Sequence, residues 1–144
     1  MSDFSPEAFL GTSVKGANAT RVIPVPEGDY PAIVKSLKPR LLDDGRLIID
    51  LVWSVDDEKV REATKMKEPT VRQSLFVDRN GSGQLATGEG VNVQVGRVRE
   101  ALGQNDPTKE WNFHMLEGQA ARITVKHRLV DGEIFSDVKG VTKL

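Results

Sequence analysis

The stretch RLIIDLVWSV, residues 46–55, carries the clearest strand pattern in the chain. Apolar residues stand at every second position from Leu47 onward, and alternate positions of a strand point to the same face. These residues are Leu47, Ile49, Leu51, Trp53 and Val55. The positions between them are mixed in character, which is typical of a face that is partly covered and partly in water. The stretch therefore predicts a strand with one face in the core, and it places Trp53 in that face.

The composition is that of a single cysteine-free domain with balanced charge. A chain of 144 residues can bury a core without a metal or a disulfide. The absence of cysteine excludes disulfides, thiolate metal sites and cysteine nucleophiles. With 20 basic and 21 acidic residues, affinity for a polyanion would need a local basic patch. No membrane-span or signal-peptide pattern is present, so we expect a protein of the cytoplasm.

Four further strands are predicted around the first stretch. The five predicted strands are residues 30–38, 46–55, 70–78, 121–129 and 133–142. Asp43-Asp44-Gly45 predicts a hairpin turn between the first two strands, and Asp131-Gly132 predicts a second one between the last two. These hairpins exclude an all-parallel sheet, because parallel neighbours need a crossover connection.

Two helices are predicted between the strands. Asp56-Asp57-Glu58 supplies an N-cap and early acids for a short helix over residues 57–66, with Val60 and Ala63 on its apolar side. A second helix follows from helical spacing and from a glycine that stops it. The residues concerned are Val91, Val95, Val98, Leu102 and Gly103.

The order of elements predicts a mainly β fold, a five-stranded Greek-key barrel of the OB-fold type. One helix lies between strands 3 and 4 and a short helix between strands 2 and 3, as in a barrel plugged at one end. A small β-sandwich with a helix is the alternative. The predicted barrel domain covers residues 25–144 and is preceded by an N-terminal arm, residues 1–24.

The arm has too little periodicity to build a core of its own. A helical turn is predicted near Pro6, followed by a small and polar stretch. Two interpretations are open: a flexible arm, or an arm that docks Phe4, Phe9 and Leu10 on a partner such as another copy or a larger assembly.

Catalysis finds little support in the sequence. Neither His114 nor His127 has an obvious acid or metal-ligand partner at useful spacing, and His127 shares the apolar register of its strand, which predicts a core histidine. The glycine-rich loop at residues 80–90 lacks the nucleotide-binding motifs. We therefore expect a protein that is not an enzyme and that has no cofactor and no metal site.

Basic and aromatic residues share the outward registers of three predicted strands. Cations for phosphates and flat rings for bases are what single-stranded nucleic acid requires of a barrel face. The candidate nucleic-acid-binding residues are Arg72, Phe76, Arg122, Lys126, Arg128, Phe135 and Lys139. On the alternative interpretation the cations only solubilise the strands, while Phe76 and Phe135 pack under a helix or a loop.

Four short motifs resemble a group of small tailed-phage proteins that are commonly assigned OB-folds and single-stranded DNA binding. They are VPEGDY at 25–30, GRLIIDL at 45–51, VGRVREALG at 95–103 and LEGQ at 116–119. The resemblance covers roughly residues 25–144. It implies a DNA-binding protein of replication or recombination in the host cytoplasm, with Arg72, Phe76, Arg122, Lys126 and Arg128 on the DNA face.

A second function is an alternative to this one. It is a virion structural protein, such as a capsid decoration or cement protein, in which the barrel is a spacer on the capsid surface. The N-terminal arm would then bind neighbouring capsid proteins. Under both hypotheses we expect a homo-oligomer or a larger assembly and no membrane.

Overall fold

The chain folds into a β-barrel whose strands follow the predicted order. A computed structural model describes residues 3–144. The strands are β1 (Gly28–Leu41), β2 (Leu47–Val55), β3 (Thr70–Val77), β4 (Ala120–Val130) and β5 (Glu133–Thr142). They close in the order β1-β2-β3-β5-β4, so the prediction of an OB-fold-like barrel is confirmed and the β-sandwich alternative is wrong.

Three short α-helices and one 3-10 turn complete the described chain. They are α1 (Pro6–Phe9), α2 (Glu58–Thr64), α3 (Val93–Ala101) and the 3-10 turn Phe113–Leu116. Within residues 3–144, no helix is long and apolar enough to cross a membrane.

The barrel closes because β1 pairs with two neighbours. Ala32 lies opposite Val55 of β2 on one side and opposite Ala121 of β4 on the other. On the far side of the barrel, β3 and β5 run parallel and pair through Arg72 opposite Asp137. We call this boundary between β3 and β5 the seam. This seam has far fewer pairs than the nine that join β1 to β2, so it leaves room for grooves on both sides of the Arg72–Asp137 pair.

The inner face of β2 is the centre of the core, as its alternation predicted. Leu51 and Trp53 are fully buried. The indole Nε1 of Trp53 donates a hydrogen bond of 2.9 Å to Oε1 of Gln73 on β3. The polar tip of the largest core side chain is therefore satisfied inside the barrel.

Both main helices are shorter than predicted. α2 is capped by Asp57, whose carboxylate accepts from the Val60 amide at 3.0 Å, but it ends at Thr64, and Lys65 takes a left-handed conformation. Thr64, rather than Ala63, faces the core with Val60, since it stands four residues after Val60 on the same side of the helix. Its buried hydroxyl donates to the Val60 carbonyl at 2.8 Å.

α3 starts at Val93 instead of Val91. Asn92 has a φ of 49°, and its side-chain amide donates to the carbonyls of Asp78 and Ala86 at 3.0 and 2.9 Å. This anchor holds the preceding loop and delays the helix. Val95 and Val98 are buried against the barrel as predicted, and Gly103, with a φ of 69°, follows the helix end.

The apolar alternation of β4 continues beyond the part of the strand whose side chains are buried. Ala121, Ile123 and Val125 are fully buried, whereas Leu129 is 70 % exposed. Pairing with β1 ends where Gly28 meets Val125, so the rest of β4 pairs with β5 and projects from the barrel as a hairpin. The prediction that His127 is a core histidine is therefore wrong: the residue is exposed, and its ring Nε2 lies 2.8 Å from the Val25 carbonyl oxygen.

Candidate nucleic-acid interface

A groove of about 630 Å³ lies beside the β3–β5 seam, next to α3. We call it the seam groove. Arg72 and Ser74 of β3 form one wall, and the β5 stretch that follows Asp137 forms the other. Its basic residues are Arg40, Arg72, Arg97, Arg128 and Lys139, and Asp137 is its one acidic lining residue. The groove is therefore a positively charged channel on a protein whose net charge is −1.

Two of these cations are paired with carboxylates. Arg128 Nε lies 2.6 Å from Asp137 Oδ2, and Arg40 Nε lies 3.0 Å from Asp50 Oδ2. Hydrogen bonds from Arg40 lower the pKa of Asp50, and the Ser74 hydroxyl, which donates at 2.6 Å, lowers it further. Both carboxylates therefore hold arginines in place along the groove.

The other three cations form no ion pair with a carboxylate of the described chain, although the charge of Arg72 contributes to the lowered pKa of Asp50. Arg72, Arg97 and Lys139 lie beyond 4 Å of every carboxylate in residues 3–144. Arg72 is the central one, because it sits at the seam itself, opposite Asp137. These three side chains are available to phosphate groups.

Phe76 forms the edge of the seam groove near the β1–β2 turn. Its side chain is 50 % exposed, and the guanidinium of Arg46 lies 5.4 Å from its ring centroid. Ile48 is opposite Phe76 in β2 and is only 2 % exposed, although it belongs to the outer face. Phe76 thus stands on a packed apolar base with half of its surface in solvent.

Phe135 lies on the other side of Arg72, in a second groove. That groove is lined by residues 21–25, the start of β3 and the first half of β5, and Arg72 borders both grooves. Arg128 lies 5.2 Å above the Phe135 ring, which is 39 % exposed. From the parallel register, Phe76 and Phe135 are six residues apart along the seam, about 20 Å at the usual strand rise.

The structure separates two of the predicted residues from this arrangement. Arg122 and Lys126 are exposed on β4 but do not line the seam groove. The outward register of β4 has no acid of its own, but the neighbouring strand and the segment before it supply two. Asp29 accepts a hydrogen bond from the Thr124 hydroxyl. Glu27 accepts from the His127 amide, which lowers its pKa, and the charge of Lys126 lowers the pKa further.

Sequence analysis missed Arg40 and Arg97. Arg40 follows Lys38 at the outward positions of β1, and a longer first strand would have indicated it, since β1 extends to Leu41. Arg97 is on the exposed side of α3. Its position over the seam depends on how the helix packs, which one sequence does not give.

The predicted arm residues Phe4, Phe9 and Leu10 line neither of the two grooves. Phe4 and Phe9 meet edge to face, with ring centroids 5.7 Å apart, and Leu10 is 78 % exposed. Residues 3–23 are exposed throughout, and Val25 is the first buried residue.

Two further observations bear on what the site can do. In residues 3–144, no three His, Asp or Glu side chains come together to hold a metal ion. No known protein family matches the chain, and no curated protein matches it.

Proposed function

We propose that the protein is a non-catalytic, phage-type single-stranded DNA-binding protein that acts in replication or recombination. The observation that carries this proposal is the seam groove, where Arg72, Arg97 and Lys139 lie together, none of them in an ion pair within the described chain, beside the half-exposed ring of Phe76. Cations that follow the backbone and rings on which bases stack are the two requirements for binding single strands.

The residues of the seam groove and of the second groove divide these two tasks. Arg72 and Lys139, on opposite walls, would contact successive phosphates of a strand that follows the seam. Phe76 and Phe135, about 20 Å apart along the seam by strand rise, would each stack a base. OB-folds bind oligonucleotides with the face of strands 2 and 3 and with the loops that join strands 1–2 and 4–5, and Arg72 and Phe76 lie on the outer face of β3.

Fluorescence anisotropy of a labelled oligothymidine, measured over a range of salt concentrations, tests this function. We expect binding at low ionic strength that weakens as salt rises, because each phosphate contact releases about 0.7 counterions from a single strand. Absence of binding at low ionic strength would overturn the proposal.

A matched pair of variants separates the seam groove from overall charge. Arg72→Gln and Arg122→Gln each remove one exposed cation of the outer barrel face, but only Arg72 lines the groove. We expect Arg72→Gln to weaken binding and to reduce the salt slope by about 0.7, and Arg122→Gln to do neither. Equal effects of the two variants would remove the groove as the binding site.

A virion structural role is the second candidate, and the arm favours it. Residues 3–23 are exposed and carry large apolar side chains, including Phe9, Leu10 and Val14, that the barrel does not cover. Under this hypothesis purified virions contain the protein at high copy number, and its absence from them would exclude the role. Deletion of residues 1–20 would impair particle assembly under this hypothesis and leave DNA affinity nearly intact under the first.

A further inference from the structure

A second large cavity lies at the end of the barrel, away from the seam groove. It measures about 640 Å³ and opens between the loop after β3 and the loop before β4. We call it the barrel-end pocket. Its apolar lining comes from the first inward residues of β2 and the last of β3, and from both loops. Leu47, Val77, Leu85, Trp111 and Phe113 are part of this lining.

The aromatic wall of the barrel-end pocket is held in a fixed geometry. The rings of Trp111 and Phe113 meet edge to face at 4.8 Å. Arg99 lies 4.3 Å above the Trp111 ring, and the indole Nε1 donates to Oε1 of Gln104 at 2.9 Å. A preformed cavity of this size, with an aromatic wall and polar groups beside it, has the character of a binding pocket.

The rim of the barrel-end pocket is positively charged. Arg79, Arg99 and Lys109 line it, and Asp106 is its one carboxylate. Asp106 accepts hydrogen bonds from the backbone amide and the hydroxyl of Thr108, at 2.9 and 2.7 Å. The pocket therefore fits an occupant that combines apolar or aromatic groups with negative charge.

The N-terminal arm has this combination. Residues 3–10 contain Asp3 and Glu7 and no basic residue. Their apolar side chains are presented by a small ordered unit: the Ser5 hydroxyl accepts from the Ala8 amide at 3.2 Å, and Phe9 packs against Phe4. Phe9 and Leu10 are 59 % and 78 % exposed.

We propose that the barrel-end pocket of one molecule receives the arm segment 3–10 of a second copy. The acids of the arm then face the cations of the rim, and Phe9 and Leu10 enter the apolar lining. We assign the occupant to a second copy because segment 3–10 is exposed in its own chain and lines neither groove nor the barrel-end pocket there. Arm and pocket are different surfaces, so the contact is head to tail and builds rings or open chains. This inference does not depend on DNA binding.

Charge exchange between arm and pocket tests the contact in the full-length protein. Sedimentation velocity across the micromolar range should show concentration-dependent assembly of the wild type. Glu7→Lys and Lys109→Glu should each weaken assembly by at least about tenfold, because each places like charges together. An equimolar mixture of the two variants should recover assembly in alternating order, since the arm of each variant carries the charge opposite to that at position 109 of the other. Wild type that stays monomeric, or a mixture no better than the single variants, would overturn the proposal.

The absence of cysteine allows a direct test of which chain supplies the arm. Full-length Leu10→Cys mixed with Lys109→Cys should form a disulfide-linked dimer under mild oxidation. Leu10→Cys mixed with Arg122→Cys is the matched control, since Arg122 does not line the pocket, and it should crosslink far less. Equal crosslinking in the two mixtures would overturn the contact. A Leu10→Cys/Lys109→Cys double variant that crosslinks within one chain, without dimers, would overturn the second copy as the occupant.

Discussion

The two faces of the β2–β3 pair have different roles. On the inner face, Leu51 and Trp53 of β2 pack with Leu75 of β3, and all three are at most 1 % exposed. On the outer face of β3, Arg72 is exposed and Phe76 is half exposed. The same backbone pairing thus supports a closed core on one side and an open, charged surface on the other.

The difference between the two faces shows what determines the burial of an inner residue and the surroundings of an outer one. An inner residue is buried because the barrel closes around it, so its environment follows from alternation alone. An outer residue depends on which strands lie beside it, and these come from distant parts of the sequence. Arg72, for example, lies beside Asp137, which is 65 positions later in the chain. Mutations on the inner face should therefore change stability, and those on the outer face should change binding.

The largest expected effect is on the inner face. Trp53→Ala should lower the free energy of unfolding by about 3–5 kcal/mol, because it leaves a large cavity in a closely packed core. Urea denaturation followed by circular dichroism measures this change. Phe76→Ala is the matched control on the outer face, and it should cost about 1 kcal/mol or less. A similar loss for both variants would end the distinction between the two faces.

A smaller effect is expected from the polar pair inside the core. Gln73→Leu keeps the approximate volume of the side chain but removes the acceptor of the Trp53 indole N–H, 2.9 Å away. An unsatisfied buried donor costs about 1–3 kcal/mol. The Gln73→Leu loss should shrink in a Trp53→Phe background, where no N–H remains, and a double-mutant cycle measures this coupling. Strictly additive losses would mean that the hydrogen bond contributes nothing to stability.

The fold could be predicted from the sequence because its signals are local. The alternation of β2, the Asp131-Gly132 turn and the helical spacing of Val95 and Val98 each depend on a few neighbouring residues. Turn residues Asp131 and Gly132 both have the positive φ that this kind of hairpin needs. The exposed end of β4 could not be predicted, because the strand keeps its alternation after its pairing with β1 has ended.

The candidate site could be predicted only in part, because it is assembled across strands. Outward alternation correctly assigned Arg72 and Phe76 to one face of β3. It could not reveal that Asp137 binds Arg128, or that Arg122 lies outside the groove, since both depend on pairing between distant segments. Long-range register is the information that the sequence pattern lacks.

On the outer face, an aromatic substitution should affect DNA binding without a comparable loss of stability. Phe76→Leu keeps an apolar side chain over Ile48 but removes the flat ring. If Phe76 stacks a base, the affinity for oligothymidine should fall by about 1–3 kcal/mol, the usual contribution of one stacked base. Anisotropy titration measures this loss, with Phe9→Leu as a control aromatic substitution outside the groove. Unchanged affinity in Phe76→Leu would remove this ring from the proposed interface.

The smallest expected effect is at the Asp50 carboxylate, on the outer face of β2. Arg40 holds this carboxylate through bonds of 3.0 and 3.3 Å, and the resulting pKa of Asp50 is below its ordinary value. The folded state therefore binds a proton at Asp50 less readily than the unfolded state does. The ionised carboxylate stabilises the fold above the unfolded pKa of about 3.9, and this stabilisation is lost as the pH falls through the lower folded pKa.

Asp50→Asn should accordingly reduce the loss of stability on acidification. Because Arg40 is about half exposed, the difference from wild type should be at most about 1 kcal/mol between neutral pH and pH 3. Urea denaturation at several pH values measures it, with Asp43→Asn, in the exposed β1–β2 turn, as the control for removal of one charge. If Asp50→Asn kept the full pH dependence of the wild type, the Arg40–Asp50 pair would not stabilise the fold, and its role would be confined to positioning Arg40 at the seam groove.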